Sequence, residues 1–217
     1  MGPLGFGGSA SRGIVAQNFT GATFIVQIGM AFGVNRDVQR IGDVIVSTEI
    51  IPHDSRKVTS DPDGAQPYLV DHSGAGRFAA KESMITMFRA ESESAQRDFQ
   101  VFFGALLSGG ARIFSEAFRN QLVIGSPAGD EDIIGGEMEG VGLLSVSPAD
   151  EPLWIVVKGI WDFADELRDS EIDVTRSVAC GNAARFVLSA LSGTRSQAAT
   201  EMEADNVGVG ELLRGKG

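Results

Sequence analysis

The chain reads as an α/β protein of the three-layer α/β/α kind, one sheet with helices on both faces. Two observations predict this class. Apolar runs such as Trp154-Ile-Val-Val-Lys-Gly-Ile show almost no polar alternation, as expected of strands covered on both faces. Between them lie stretches with the helical period, above all the stripe Ala179, Ala183, Phe186, Val187, Ala190 and Leu191. Strands interleaved with helices build a sheet between helical layers, and 217 residues, 43% of them apolar, suit one domain.

In chain order, the first dozen residues are rich in Gly, Pro and Ser, so 1–20 is expected as a loose N-terminal arm. The folded domain is expected over 21–193. Thr23-Phe-Ile-Val-Gln-Ile, closed by Gly29, and Asp43-Val-Ile-Val-Ser-Thr-Glu-Ile-Ile, ended by Pro52, read as buried strands. Asp61-Pro-Asp-Gly-Ala-Gln-Pro is a turn-rich loop, and Arg77 to Ala90 sets Met84, Ile85 and Phe88 on one helical face. Phe99 to Leu107 is a third strand, ended by Ser108-Gly-Gly; a helix follows with Ser115 as its N-cap. Trp154 to Ile160 is a fourth strand, and the last helix runs from about Asp173 to Leu191. Residues 194–217 are polar and Gly-punctuated, an expected acidic, flexible tail.

Composition excludes several functions. Eighteen basic against twenty-nine acidic residues give a net charge of −11, which repels nucleic acids and anionic membranes. No apolar run approaches the roughly 18 residues of a bilayer span, and the start lacks a basic region followed by an apolar core. A cytoplasmic location is expected. The one cysteine, Cys180, cannot pair within the chain, and with only His53 and His72 beside it no zinc spacing exists, so neither metal nor cofactor is expected. His53 reads as structural or surface, and Cys180 as core.

Three strand ends carry unusual polar or glycine content, and in such sheets ligands bind where strand ends open into loops. In Gln27-Ile-Gly-Met-Ala-Phe-Gly, Gly29 and Gly33 would let the backbone turn and present N–H groups; it is neither a dinucleotide nor a P-loop fingerprint. Gly135-Gly-Glu-Met-Glu-Gly sets Glu137 and Glu139 around Met138. Carboxylates there can chelate a sugar diol, with the thioether as an apolar platform; the rival reading is a helix start, where acids favour the dipole. In Lys158-Gly-Ile-Trp-Asp-Phe-Ala-Asp, Asp162 ends the strongest buried-strand signal. Desolvation there favours a proton donor; a structural cap for the next helix is the alternative. Trp161, beside it, gates the site or plugs the core.

The order and wording of these segments, with Ile41-Gly-Asp-Val-Ile-Val-Ser and Gly104-Ala-Leu-Leu-Ser-Gly, resemble the nucleoside phosphorylase and nucleosidase family over about Thr23 to Leu191. That family holds purine nucleoside and uridine phosphorylases and 5′-methylthioadenosine/S-adenosylhomocysteine nucleosidases. The wording is most similar to nucleosidase-like domains fused to signalling or defence proteins. The resemblance implies a mixed central sheet and hydrolysis of the N-glycosidic bond of an adenine nucleoside or nucleotide. It implies that Glu139 binds the ribose 2′ and 3′ hydroxyls, that Met138 packs on the sugar, and that Asp162 protonates purine N7. Gly29, Met30 and Ala31 would line the nucleophile side, and Ala111 to Ile113 the base, with Arg112 where nucleosidases often carry an aromatic.

Two departures bear on the nucleophile. Hexameric phosphorylases hold phosphate with an Arg and a Ser at the positions of Gln27 and Met30, neither of which binds an anion well. Water is the expected nucleophile, with phosphorolysis as the alternative. The family also begins with a strand and helix before the segment matching Thr23; here about twenty residues precede it and no acid occurs before Asp37. The glutamate that activates water in the nucleosidases lies in that part. A longer product, a partner supplying the group, or a non-catalytic nucleoside-binding domain are the resulting expectations, together with a homo-oligomer that covers exposed sheet edges.

Overall fold

A strand seam closes the central sheet on itself. The computed structural model describes residues 6–54, 56–71, 76–94, 96–128, 132–146, 151–167 and 175–193. In chain order the elements are α1 (Phe6–Thr20), β1 (Ile25–Gly33), β2 (Val44–Pro52), β3 (Lys57–Thr59), β4 (Leu69–Asp71), β5 (Phe78–Ala79), α2 (Glu82–Ser94), β6 (Val101–Ser108), α3 (Glu116–Ile124) and β7 (Ile133–Glu137). A 3-10 turn (Gly140–Ser145), β8 (Trp154–Asp162) and a final helix α4 over 175–193 complete them. The six-stranded sheet runs β5-β2-β6-β7-β1-β8, and β8 also pairs with β2. It is mixed: β2–β6, β6–β7 and β1–β8 are parallel, whereas β7–β1, β2–β5 and β2–β8 are antiparallel. β3 and β4 form a separate hairpin.

The core lies in two clusters, as a sheet between helical layers requires. Ile45, Val46, Ile50 and Leu106 join Met84 and Phe88 of α2 and Phe186, Val187 and Ala190 of α4. Ile51, Leu107 and Ile133 join Leu122 of α3. Ile50 and Leu106 thus fall in a different cluster from their neighbours Ile51 and Leu107, and the α/β/α layering with a mixed sheet holds.

The seam between β2 and β8 follows from local chemistry. Gly42, at φ 92°, lets the chain turn into β2, and Asp43 accepts hydrogen bonds from the N–H groups of Arg40 and Gln100, each at 2.8 Å. Backbone pairing with β8 covers Val44, Ile45 and Val46 and then ends. There the Ser47 hydroxyl accepts from Val156 N at 3.0 Å, satisfying a buried donor that would otherwise be orphaned.

Three expectations need correction. Residues 6–20 are not a loose arm but helix α1; its Gly13 lies so near the 3-10 turn that an added Cβ would sit 2.6 Å from Val146 Cγ2. The helix expected over 77–90 starts at Glu82 and ends at Ser94, because Phe78–Ala79 pair with β2 as an edge strand. The chain does not turn at Gly29: β1 runs through it and ends at Gly33. Ser115 does cap α3, accepting from Phe118 N at 3.4 Å. His72 and the tail over 194–217 lie outside the described residues.

Helix α4 meets β8 at Gly159, where a Cβ would fall onto the Ala179 carbonyl, a backbone group that cannot swing away. Gly159→Ala is therefore expected to destabilise the chain by about 1–3 kcal/mol, read as a lowered urea midpoint; an unchanged midpoint would contradict this packing.

Candidate active site

Strand register brings three segments to one place. Asp162 of β8 lies beside Phe32 of β1, and Phe32 beside Gly136 of β7. Two strand spacings, about 10 Å, therefore separate the backbone at Asp162 from the start of Glu137-Met138-Glu139. A cavity of about 790 Å³ opens over this gap, within the roughly 300–1,000 Å³ of small-molecule sites. Gly29, Met30, Ala31, Ala111, Ile113, Glu137, Met138, Glu139, Trp161 and Asp162 all line it. These ten candidate residues thus share one cavity, although they lie up to 133 positions apart, from Gly29 to Asp162; Gly33 is not among its lining.

The two glutamates are not equivalent. Glu137 is buried, and its carboxylate accepts hydrogen bonds from Glu139 N at 2.9 Å and Gly140 N at 2.8 Å, capping the 3-10 turn. The Ser108 hydroxyl is a further hydrogen-bond partner. Glu139 is half-buried and directed into the cavity. Lys158, 2% exposed, joins them: Nζ lies 3.0 Å from Glu137 Oε2 and 3.2 Å from Glu139 Oε2. Glycine at 29 gives the lysine its space, since a Cβ there would stand 3.1 Å from Nζ.

Burial alone would push the Glu137 carboxyl up, but the Lys158 ammonium and the hydrogen bonds from Ser108 and the Glu139 amide outweigh it and hold it below the ordinary range. Burial likewise opposes the charged form of Lys158, and the two glutamates overcome it and raise the lysine above its ordinary value. The pair is therefore charged in the folded protein at neutral pH.

Asp162 is held from its C-terminal side. It is 1% exposed, and its Oδ1 accepts from Ala164 N at 2.9 Å. Ala164 has φ 52°, the one left-handed non-glycine among the described residues, a conformation that persists only where surroundings enforce it. They do: buried Arg119 of α3 donates to the Phe163 carbonyl at 2.6 Å, and Arg36 pairs with Asp165 at 2.8 Å while lying 4.2 Å over the Phe163 ring. Gln39 completes the frame by accepting from Val34 N at 2.9 Å and donating to the Ile134 carbonyl at 2.7 Å.

Lys158, Ser108 and Arg119 escaped the sequence reading as parts of the site. Lys158 did leave a signal: an ammonium inside an apolar nine-residue strand needs an acidic partner, and Gly-Glu-Met-Glu-Gly offers two. His53 is buried beneath Gly109, a structural position, and Cys180 is half-buried on α4. Among the described residues no three His, Cys, Asp or Glu side chains gather as a metal-ligand set.

Removing the lysine leaves Glu137 charged and buried, so Lys158→Met should cost about 3–5 kcal/mol. The wild-type advantage is present above the ordinary carboxyl value of 4.5 and lost as pH falls through the depressed folded value of Glu137. On the alkaline side it is present below 10.5 and lost as pH rises through the raised folded value of Lys158. Urea midpoints of both chains across pH test this: a gap that is flat near neutrality and narrows at both extremes is expected, and a gap that peaks in acid would contradict it.

The sequence profile of the Phosphorylase superfamily matches residues 10–192. It reaches into α1, beyond the expected span of about Thr23 to Leu191. A Death domain-containing ATP nucleosidase from Amphimedon queenslandica is 26% identical over 195 residues, covering 80% of this chain and 34% of that protein. The chain thus spans about a third of the length of that curated relative. The fold superposes on 5′-methylthioadenosine/S-adenosylhomocysteine nucleosidase from Neisseria meningitidis, in complex with methylthio-immucillin-A, with a TM-score of 0.71 and 20% identity, covering 89% of this chain and 79% of that one. Futalosine hydrolase of Helicobacter pylori gives a TM-score of 0.69 at 20% identity, covering 88% and 76%. Register, cavity and profile agree: the chain belongs to the Phosphorylase superfamily.

Proposed function

We propose that this chain is an adenine-releasing N-glycosidase that hydrolyses the bond between adenine and the ribose of a nucleoside or nucleotide. The observation that carries the reading is the facing pair in one cavity: Glu139 and Met138 on one side of β1, buried Asp162 on the other. The similarity to an ATP nucleosidase and the shared fold with other nucleosidases support it.

Glu139, with one oxygen held by Lys158, accepts hydrogen bonds from the ribose hydroxyls, and Met138 packs against the sugar. Asp162 gives a proton to N7 of the base as the C1′–N9 bond breaks, so its electron pair leaves with a neutral purine. The ribosyl carbon gains oxocarbenium character, which the nearby carboxylates stabilise. Water adds to that carbon, and the proton it loses restores Asp162. Glu137 touches no substrate; it anchors Lys158 and the turn that carries Glu139. Gln27 and Met30 also line the cavity, and neither supplies the charge that would hold inorganic phosphate, which favours water.

Two coarser features belong to the same proposal. A homo-oligomer is supported by Ile14, Val15 and Phe19 of α1, exposed at 41%, 54% and 86%. A cytoplasmic location is supported by the single cysteine; no described helix is long and apolar enough to cross a membrane.

Adenine release from adenosine, methylthioadenosine, S-adenosylhomocysteine, AMP and ATP, followed by chromatography with and without phosphate, tests the reading. Phosphate-independent release is expected, and Asp162→Asn should lower kcat/KM by about 10²–10⁴-fold with an unchanged circular dichroism spectrum. A folded chain that releases no adenine from any of them would overturn it and leave a nucleoside-binding domain. Glu139→Gln should erase the preference for ribosides over 2′-deoxyribosides, and a preference that survives would remove Glu139 from its diol role.

A further inference from the structure

Arg119 of α3 is the one buried arginine among the described residues, at 5% exposure. Its carboxylate partner does not account for that burial, because the Glu116 side chain is 61% exposed. The guanidinium is set from behind by its own helix. Nη2 donates to Glu116 Oε1 at 3.1 Å and to Asn120 Oδ1 at 2.9 Å, and Nε donates to Asn120 Oδ1 at 3.1 Å. Held in this way, the planar fork aims Nη1 across the fold at the Phe163 carbonyl, 2.6 Å away.

That carbonyl is one end of a rigid plane. A peptide unit moves as a whole, and the other end of the 163–164 unit is the Ala164 amide, which donates to Asp162 Oδ1 at 2.9 Å. Ala164 stands at φ 52°, where a residue with a side chain is rarely found. Relaxation of that angle would tilt the peptide and carry its N–H away from the carboxyl. Arg36 holds the flanking side chains of Phe163 and Asp165, whereas Arg119 holds the peptide itself.

We propose that Arg119 is a positioning residue for proton transfer, gripping the Phe163 carbonyl so that the Ala164 amide fixes the orientation of the Asp162 carboxyl. This rests on the glycosidase reading for the role of Asp162. Because Oδ1 accepts from the amide, the acid form carries its proton on Oδ2. The proton leaves Oδ2 for N7 of the base, and the proton that the attacking water loses restores it. Helix α3 begins just after Ala111 and Ile113, which line the cavity. The element that follows the expected base side therefore also carries the grip on the proton donor.

A double-mutant cycle between positions 119 and 164 in the full chain tests this. Arg119→Met, which fills much of the space without a donor, should lower kcat by about 10–10²-fold and leave KM within about threefold. Glycine takes the left-handed region at no steric cost, so on an Ala164→Gly background the same substitution should cost kcat at least about fivefold less. An arginine that only supports the fold would show no such recovery. Where circular dichroism shows that Arg119→Met does not fold, Arg119→Lys, which keeps the charge and loses the fork, is read on the same two backgrounds. Calorimetric binding of adenine to the four chains reads the carboxyl without turnover. Affinity should fall at least about threefold with Arg119→Met and recover on the glycine background. A kcat loss of equal size on both backgrounds, or a lowered melting temperature with kcat unchanged, would overturn this inference and leave the glycosidase reading intact. Adenine binding that Arg119→Met weakens and glycine restores, in a chain that releases no adenine from any nucleoside or nucleotide, would uphold the positioning of Asp162 and overturn the glycosidase reading instead. Adenine binding indifferent to Arg119 in such a chain would overturn both.

Discussion

One buried ammonium holds this site together. Taking Lys158 out of water costs several kcal/mol, and that cost is offset only because Glu137 and Glu139 both reach Nζ. The arrangement constrains its neighbours in turn. A Cβ at position 29 would crowd the lysine, 3.1 Å from its Nζ, and a Cβ at position 140 would stand 2.6 Å from Glu137 Oε1. Glu137 is drawn inward to satisfy the lysine and the amides of residues 139 and 140, which leaves Glu139 at the cavity surface. Two carboxylates two residues apart thus acquire different tasks from environment alone.

The mixed sheet converts this local chemistry into a site with two sides. β8 pairs in parallel with β1 up to Asp162 and antiparallel with β2 over residues 157–159, so both its edges are paired. The chain leaves it through Ala164 in a left-handed conformation, clamped by Arg119 and Arg36 from different elements. β7 delivers the glutamates on the other flank of β1. Placing the groups proposed to react at strand ends rather than on long loops limits their freedom, and a preorganised constellation needs little rearrangement when charge develops.

How much of this was legible depended on whether a feature was local. β8 stood out because nine residues are apolar but for Lys158 and Asp162, and the α3 cap because Ser115 precedes the first turn. The shared location of the site residues was legible only through the wording of separated segments, since no periodicity in the sequence encodes the register of Phe32 with Asp162 and Gly136. Helix α1 was illegible for a physical reason. Its glycines lower intrinsic helix propensity by about 1 kcal/mol each, and it forms because Gly13 permits close packing on the 3-10 turn, a tertiary effect. The division of labour between Glu137 and Glu139 was equally hidden, because both fit a diol-binding pattern until the position of Lys158 is known.

The central claim is that Glu139 and Asp162 grip opposite ends of one nucleoside across β1. A crystal structure of Asp162→Asn soaked with an adenine nucleotide tests it most directly. The account predicts both ribose hydroxyls within about 2.6–3.2 Å of the Glu139 carboxylate, the sugar over Met138, and the side chain at 162 facing N7. A nucleotide bound with its base at Glu139, or outside the cavity altogether, would contradict it.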